Sequence, residues 1–225
     1  MEKYTEHLAE CWYKDVCLAD PSECELCIKY LEMAYLMDES NLPKARQKPQ
    51  PLTAPDCDVE AYRRLGEIKS NILDFVQNGK NLYIASGMSG NGKTSWAVKL
   101  MLKYFDEIWA GNGFNVRGVF VSVPTFLLKC KDFKTEDPSF NLLKKRLLSA
   151  DLVIWDDIAS TNMSAYDYSQ LLMYVDARTF NCQSNIYTGN FPTLESLSDR
   201  VGSKVASRIF GANTEIITFK GGDMR

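Results

Sequence analysis

A parallel, doubly wound α/β sheet is the fold that this sequence of 225 residues predicts. Short apolar strand patterns alternate with helical patterns from residue 57 onward, which is typical of parallel sheets. Residues 152–155 are apolar throughout, as strands buried on both faces are. Residues 82–85 form a second apolar strand that leads into a glycine-rich loop with phosphate-binding spacing. These observations predict one α/β domain that contains a nucleotide site.

The other elements follow from periodicity and from helix-start signals. Residues 57–77 predict a helix, because apolar residues from Val59 to Phe75 recur on one face before the stop at Asn78 and Gly79. A second helix follows the glycine-rich loop, and further helices are predicted after Pro124, at 142–148 and from Ser164 to Phe180. The remaining strands are predicted at 118–123, 185–188 and 216–219.

Composition and charge restrict the class of protein. The chain is 45% apolar and 24% charged, with a net charge of −3, as in ordinary soluble globular proteins. This balance argues against a broadly basic protein that coats nucleic acid. No apolar run reaches the length of a membrane span, and the first residues lack a signal-peptide core, so we expect a cytoplasmic protein without membrane contact.

Residues 87–94 have the pattern G-x-x-x-x-G-K-[ST], which holds nucleotide phosphates at the start of a helix. In such loops backbone N–H groups surround the phosphates, the lysine reaches the β- and γ-phosphates, and the next hydroxyl holds Mg²⁺. The pattern therefore predicts ATP and Mg²⁺ as ligands, with Lys93 on the phosphates and Thr94 on the metal. The other predicted nucleotide-binding residues are Gly87, Ser89, Gly90, Asn91, Gly92 and Ser95.

Asp156 and Asp157 follow the apolar strand at 152–155. Such a strand carries carboxylates to the mouth of the sheet, where Asp156 would hold Mg²⁺ through water and Asp157 would orient or deprotonate the attacking water. Asn190 follows the next strand and would hydrogen-bond the γ-phosphate or that water. Together these residues predict hydrolysis of the bound nucleotide.

The N-terminal segment contains four of the seven cysteines: Cys11, Cys17, Cys24 and Cys27. Four thiolates can complete a tetrahedral zinc site. A segment this short buries too little apolar surface to fold without a bound metal or another cross-link. His7 could replace one ligand, and the alternatives are an iron–sulfur cluster or ordinary thiols. The predicted organisation is a zinc-binding module at 1–37 that ends in a short apolar helix, a proline-rich linker at 38–55, and the ATPase domain at 56–225.

In their order, these motifs resemble those of bacterial and bacteriophage replicative-helicase loaders of the DnaC/DnaI type. Those loaders are AAA+ ATPases related to the IstB-like ATPases that partner transposases. The resemblance covers residues 57–225 and rests on the phosphate loop, 149–157, 187–190 and 202–209. It implies a parallel five-stranded AAA+ P-loop core without a C-terminal lid, preceded by the small Cys-rich module. It also implies that Asn190 is the polar sensor and that Arg208 is an arginine finger acting on the nucleotide of a neighbouring subunit.

The sequence departs from the family pattern at Asp157, where these loaders usually have glutamate. The shorter side chain is expected to place the attacking water less well and to slow hydrolysis. The resemblance gives no role to Arg225, the last residue.

The resemblance also implies partners. Loaders of this type resemble this chain in placing a Lys and a Phe after the helix that follows the second strand, and a Ser-x-Tyr after the acidic pair. Lys131, Phe133, Ser164 and Tyr166 are therefore expected to contact single-stranded DNA. A lysine on phosphate and rings stacked on bases suffice for binding without sequence preference.

The predicted function is ATP-dependent delivery of a hexameric replicative helicase onto single-stranded DNA. The N-terminal module would contact the helicase, and the ATP site would lie between self-associated subunits. Two alternatives remain: an IstB-like transposition ATPase, and a nucleotide-dependent adaptor with little turnover, which the short side chain of Asp157 favours.

Overall fold

The sheet is parallel, as predicted. The structure, a computed structural model, describes residues 11, 17, 27–48, 51–132 and 137–223. Within these residues five strands pair in the order β2-β3-β4-β1-β5, and every pair is parallel. The strands are β1 Asn81–Ser86, β2 Gly118–Ser122, β3 Leu152–Ile158, β4 Ser184–Gly189 and β5 Thr214–Phe219.

Helices cover both faces of the sheet. Alternate residues of β1 separate into two apolar layers, with Leu82 and Ile84 in one and Tyr83 and Ala85 in the other. The helices are α1 Ile28–Glu39, α2 Val59–Ser70, α3 Ile72–Gln77, α4 Lys93–Ile108, α5 Val123–Cys130, α6 Pro138–Ser149, α7 Ala165–Phe180, α8 Leu194–Val201 and α9 Ser203–Ile209. No helix in the described part of the chain is both long enough and apolar enough to cross a bilayer.

The predicted helix at 57–77 is divided into α2 and α3. Asn71 has φ −117° and ψ 29°, outside the helical region, although the buried face continues from Leu65 to Ile72 and Phe75. Val59, which the periodicity places on that face, is instead exposed. The capping box predicted at Ser164 is present.

Residues 38–48, which the composition predicts to be part of a linker, lie against the sheet. The Phe120 N–H donates to the Ser40 carbonyl at 2.7 Å, and Asn41 Nδ2 donates to the Phe120 carbonyl at 2.9 Å. Because β2 is an edge strand, these bonds satisfy backbone groups that no neighbouring strand reaches. The preceding helix α1 buries three of its apolar residues, Met33, Leu36 and Met37, in the same core as α4.

A buried arginine joins α7 to the sheet below the candidate site. The Arg178 side chain is fully buried and donates to the carbonyls of Leu147, Ala150 and Ser184 and to Asn185 Oδ1. Burial lowers its pKa to about 10. These bonds fix the beginnings of β3 and β4, whose opposite ends carry the acidic pair and Asn190.

Candidate nucleotide site

The glycine-rich loop joins β1 to α4. Gly90 and Gly92 have φ of 77° and 88°, in the left-handed region that favours glycine. A Cβ atom on Gly90 would also lie 2.1 Å from the Asp223 carboxylate. Helix α4 begins at Lys93 without a side-chain cap, so its first backbone N–H groups remain available to an anion.

The residues after β5 hold the glycine-rich loop in place through hydrogen bonds. The Asn91 side chain is buried and donates to Ser86 Oγ and, at 3.4 Å, to the Gly221 carbonyl. Asp58 holds the same segment in place, because its carboxylate accepts the N–H groups of Lys220 at 2.7 Å and Gly221 at 2.9 Å. The loop is therefore held in shape by packing that does not involve a ligand.

Lys93 lies within the loop with 6% of its surface exposed. Its ammonium donates to the Met88 carbonyl at 2.8 Å and to Asn91 Oδ1 at 3.0 Å. Both acceptors are neutral, and no described carboxylate lies within ion-pairing distance of the ammonium. Burial lowers the pKa of Lys93, and the charges of Asp157 and Asp156 oppose that shift. A phosphate group would supply the anionic partner that this ammonium lacks.

Asp156 accepts two hydroxyl groups on a single carboxylate oxygen. Thr94 Oγ1 and Thr188 Oγ1 each donate to its Oδ1 at 2.7 Å. Burial raises the pKa of Asp156, while the two hydroxyl groups and the positive charge of Arg46 partly offset this effect. Carboxylate and hydroxyl oxygens are the ligands that Mg²⁺ prefers, so the contact between Thr94 and Asp156 fits the predicted magnesium site.

Asp157 sits on an irregularity in β3 that turns its side chain into the cavity. The pairing of β3 with β4 shifts register between Trp155 and Ile158, and Asp157 has φ 59°. Its N–H donates to Thr188 Oγ1 at 3.0 Å. Among residues other than glycine, aspartate and asparagine adopt this left-handed backbone conformation most readily. The conformation therefore gives a physical reason for aspartate where the resemblance leads us to expect glutamate.

Asn190 has a buried polar atom without a hydrogen-bond partner among the described residues. That atom is the side-chain oxygen Oδ1. The residue lines a cavity of about 380 Å³ between the loop and the ends of β3 and β4. The residues that line this cavity are Arg46, Leu52, Ser89, Gly90, Gly92, Lys93, Thr94, Ser95, Asp156, Asp157 and Asn190.

This cavity brings together most of the residues that the sequence predicts for nucleotide and magnesium. It also contains Arg46 and Leu52, which no sequence pattern selects because they lie in the proline-rich segment. Thr188 was missed as well, although its position at the end of a strand, two residues before Asn190, was a usable signal.

Solved structures of replication proteins have the same fold. The chain is similar to the DnaC helicase loader with a TM-score of 0.62 and 20% identity, over 76% of this chain and 94% of DnaC. It is similar to DnaI with a TM-score of 0.61 and 16% identity, over 79% of this chain and 94% of DnaI. The replication initiator DnaA bound to AMPPCP and single-stranded DNA matches with a TM-score of 0.56 and 16% identity, over 74% of this chain and 48% of DnaA.

The chain has the same fold as DnaC and DnaI. At identities of 20% and below, this likeness concerns the fold. No protein-family model matches the sequence, and no curated protein matches it significantly.

Arg208 lies on the surface of the fold, outside the cavity of its own chain. Its Nε donates to Asp176 Oδ1 at 2.7 Å, and both side chains are about half exposed, at 45% and 52%. An arginine finger that acts on a neighbouring subunit has to be accessible in this way, and its role stays a prediction.

The predicted DNA-binding residues that the structure describes form one cluster where α5 ends and α7 begins. Lys131 Nζ and Ser164 Oγ both bond Asp167 Oδ2 at 2.7 Å. The Tyr166 hydroxyl donates to the Cys130 carbonyl at 2.8 Å, and its ring remains partly exposed. Phe133, the fourth predicted DNA-binding residue, lies outside the described residues.

Only part of the predicted zinc site lies within the described residues. Cys24 and His7 are among the residues that are not described, whereas Cys11 and Cys27 are partly buried and Cys17 is exposed. Among the residues that are described, no group of three or more His, Cys, Asp and Glu side chains could hold a metal ion. Zinc therefore stays a prediction.

Proposed function

We propose that this protein is an ATPase that delivers a hexameric replicative helicase onto single-stranded DNA. The observation that carries the proposal is the cavity lined by Lys93, by the hydrogen-bonded pair Thr94 and Asp156, and by Asn190. The second support is the fold, which is similar to that of the DnaC helicase loader and of DnaI.

Each side chain of the site has a role in this proposal. Lys93 binds the β- and γ-phosphates, and the backbone N–H groups at the start of α4 bind the phosphates next to it. Mg²⁺ held by Thr94 and Asp156 would neutralise charge that develops on the phosphates. Asp157 orients the attacking water and accepts its proton, and Asn190 hydrogen-bonds the γ-phosphate or that water. Arg208 acts on the cavity of a neighbouring subunit.

Nucleotide binding would be coupled to DNA and to the helicase through two surfaces. The cluster of Lys131, Ser164 and Tyr166 binds a single strand, with the lysine on phosphate and the ring stacked on a base. Residues 1–37, tied by zinc, contact the helicase. DnaA, whose fold is similar, has been solved with single-stranded DNA bound.

A loading assay tests the proposal. The replicative helicase of the cell in which the protein occurs is mixed with circular single-stranded DNA and ATP, and helicase retained on the circle is counted. The protein should raise retention, and Lys93→Ala should not. Lys145→Ala, which removes an exposed lysine on α6, is the matched control and should behave as the parent does. No gain in retention with a helicase that the protein binds would contradict the proposal.

A nucleotide-dependent adaptor is the second candidate function. It is favoured by Asp157, whose short side chain reaches less far into the cavity than the glutamate of the family pattern. Loading that proceeds without measurable ATP turnover, together with tight ATP binding, would support the adaptor.

A further inference from the structure

The segment between α1 and α2 brings an arginine to the phosphate cavity. Arg46 ends the 3₁₀ turn Lys44–Arg46 and lines the cavity beside the start of α4. Its Nη1 donates to Ser95 Oγ at 3.3 Å. Ser95 directly follows Thr94, so the guanidinium lies next to the residues that would hold phosphate and Mg²⁺.

The Arg46 guanidinium has more donors than the protein uses. Arginine carries five N–H donors, and among the described residues the Ser95 hydroxyl is their one hydrogen-bond acceptor. No described carboxylate lies within 4.0 Å of this partly buried group. A planar donor group of this kind matches the oxygens of a phosphate.

The turn that carries Arg46 is anchored on both sides. Leu42 is buried in the apolar core that contains α4. The buried Gln47 side chain donates to Asp38 Oδ1 at 3.2 Å and to the Leu42 carbonyl at 3.3 Å. The Ser40 carbonyl accepts the backbone N–H of Phe120 in β2. The arginine is therefore held near the cavity before any ligand binds, which limits the entropy lost on binding.

We infer that Arg46 binds the phosphate chain of the nucleotide, as a cation supplied by the same subunit from the segment that precedes the ATPase core. This inference rests on the proposed nucleotide site and adds a residue to it. It has a structural consequence, because residues 40–48 connect the cavity directly to α1. Nucleotide binding then tightens the segment through which the N-terminal residues are attached.

Calorimetric titration of the full chain with ATP tests the inference. Arg46→Ala should raise the Kd about 10-fold, as expected for the loss of one charge-assisted contact. Arg46→Lys keeps the charge without the planar fork and should lie between this variant and the parent. Lys48→Ala removes the same charge two residues further along, from an exposed side chain outside the cavity lining, and should leave the Kd unchanged.

Amide hydrogen exchange provides the second measurement. Residues 42–47 should exchange more slowly when ATP is added to the parent protein, and this protection should be lost in Arg46→Ala. An unchanged Kd in folded Arg46→Ala, while Lys93→Ala no longer binds ATP, would overturn the inference and leave the proposed site intact. Failure of the parent protein itself to bind ATP would instead remove the proposed function and this inference with it.

Discussion

Thr188→Val removes one hydroxyl group on which both acidic residues of the site depend. Thr188 is fully buried at the end of β4, donates to Asp156 Oδ1 and accepts the N–H of Asp157. Valine has nearly the same shape, so the change leaves the packing in place and deletes the two hydrogen bonds. The variant therefore isolates the positioning of the carboxylates.

The expected loss of stability is the sum of two effects. A hydrogen bond to a charged group contributes about 1.5–3 kcal/mol. A fully buried N–H left without an acceptor costs about 1–3 kcal/mol, and the Asp157 N–H, which is partly buried, costs less than that upper value. Since water in the cavity can replace part of each, we expect the free energy of unfolding to fall by about 2–4 kcal/mol. This is a large fraction of the roughly 5–15 kcal/mol that holds a domain folded.

The assays are urea unfolding and steady-state ATPase measurement at saturating Mg²⁺–ATP. We expect kcat to fall about 10-fold or more, because 1.4 kcal/mol of misplaced transition-state contacts gives a factor of ten. Thr188→Ser keeps the hydroxyl group and should retain most of the parent's stability and most of its kcat. A Thr188→Val protein with the parent's stability and kcat would refute the reasoning that this hydroxyl positions the acidic pair.

Three further predictions concern charge, assembly and metal. Burial raises the pKa of Asp156 above 3.8, so the nucleotide-free protein should lose stability as the pH rises from 3.8 through the folded-state value. In Asp156→Asn the Oδ1 can still accept both hydroxyl groups, so urea unfolding at neutral pH should show this variant without the loss of stability, although ATP turnover should be abolished. A variant less stable than the parent at neutral pH would contradict this. Arg208→Ala should bind ATP but hydrolyse it about 10³–10⁵-fold more slowly, and mixing it with Lys93→Ala should restore part of the ATPase activity. Equal activity of Arg208→Ala and the parent would exclude Arg208 as an arginine finger. Elemental analysis should find one zinc per chain, lost in Cys24→Ser/Cys27→Ser, and less than about half an equivalent would return these cysteines to ordinary thiols.

The parts of the site that the sequence predicts are those encoded by short, local patterns. The loop at 87–94 has fixed spacing, and the apolar run before Asp156 identifies a buried strand that ends in a carboxylate. Both patterns involve neighbours in sequence, so their geometry follows from local backbone rules. The alternation of strands and helices predicts the parallel sheet for the same reason.

The parts that the sequence does not predict depend on contacts between distant residues. The role of Thr188 arises because β4 lies beside β3 and because a register shift turns Asp157 toward the cavity. Arg46 reaches Ser95, 49 residues away, from a segment whose prolines and polar residues indicate a linker. The composition of this segment does not reveal that Leu42 packs in the core. Nor does it reveal that the Ser40 carbonyl bonds the edge strand β2.

ATP binding by the full chain is the most direct test of the account. Fluorescent or calorimetric titration with ATP and Mg²⁺ should give one site per chain in the parent protein. Lys93→Ala should lose most of that affinity while keeping the parent's melting temperature, because the Lys93 ammonium bonds only two neutral oxygens of its own loop. Lys145→Ala should bind as the parent does. A folded Lys93→Ala protein with the parent's affinity for ATP would contradict the central claim.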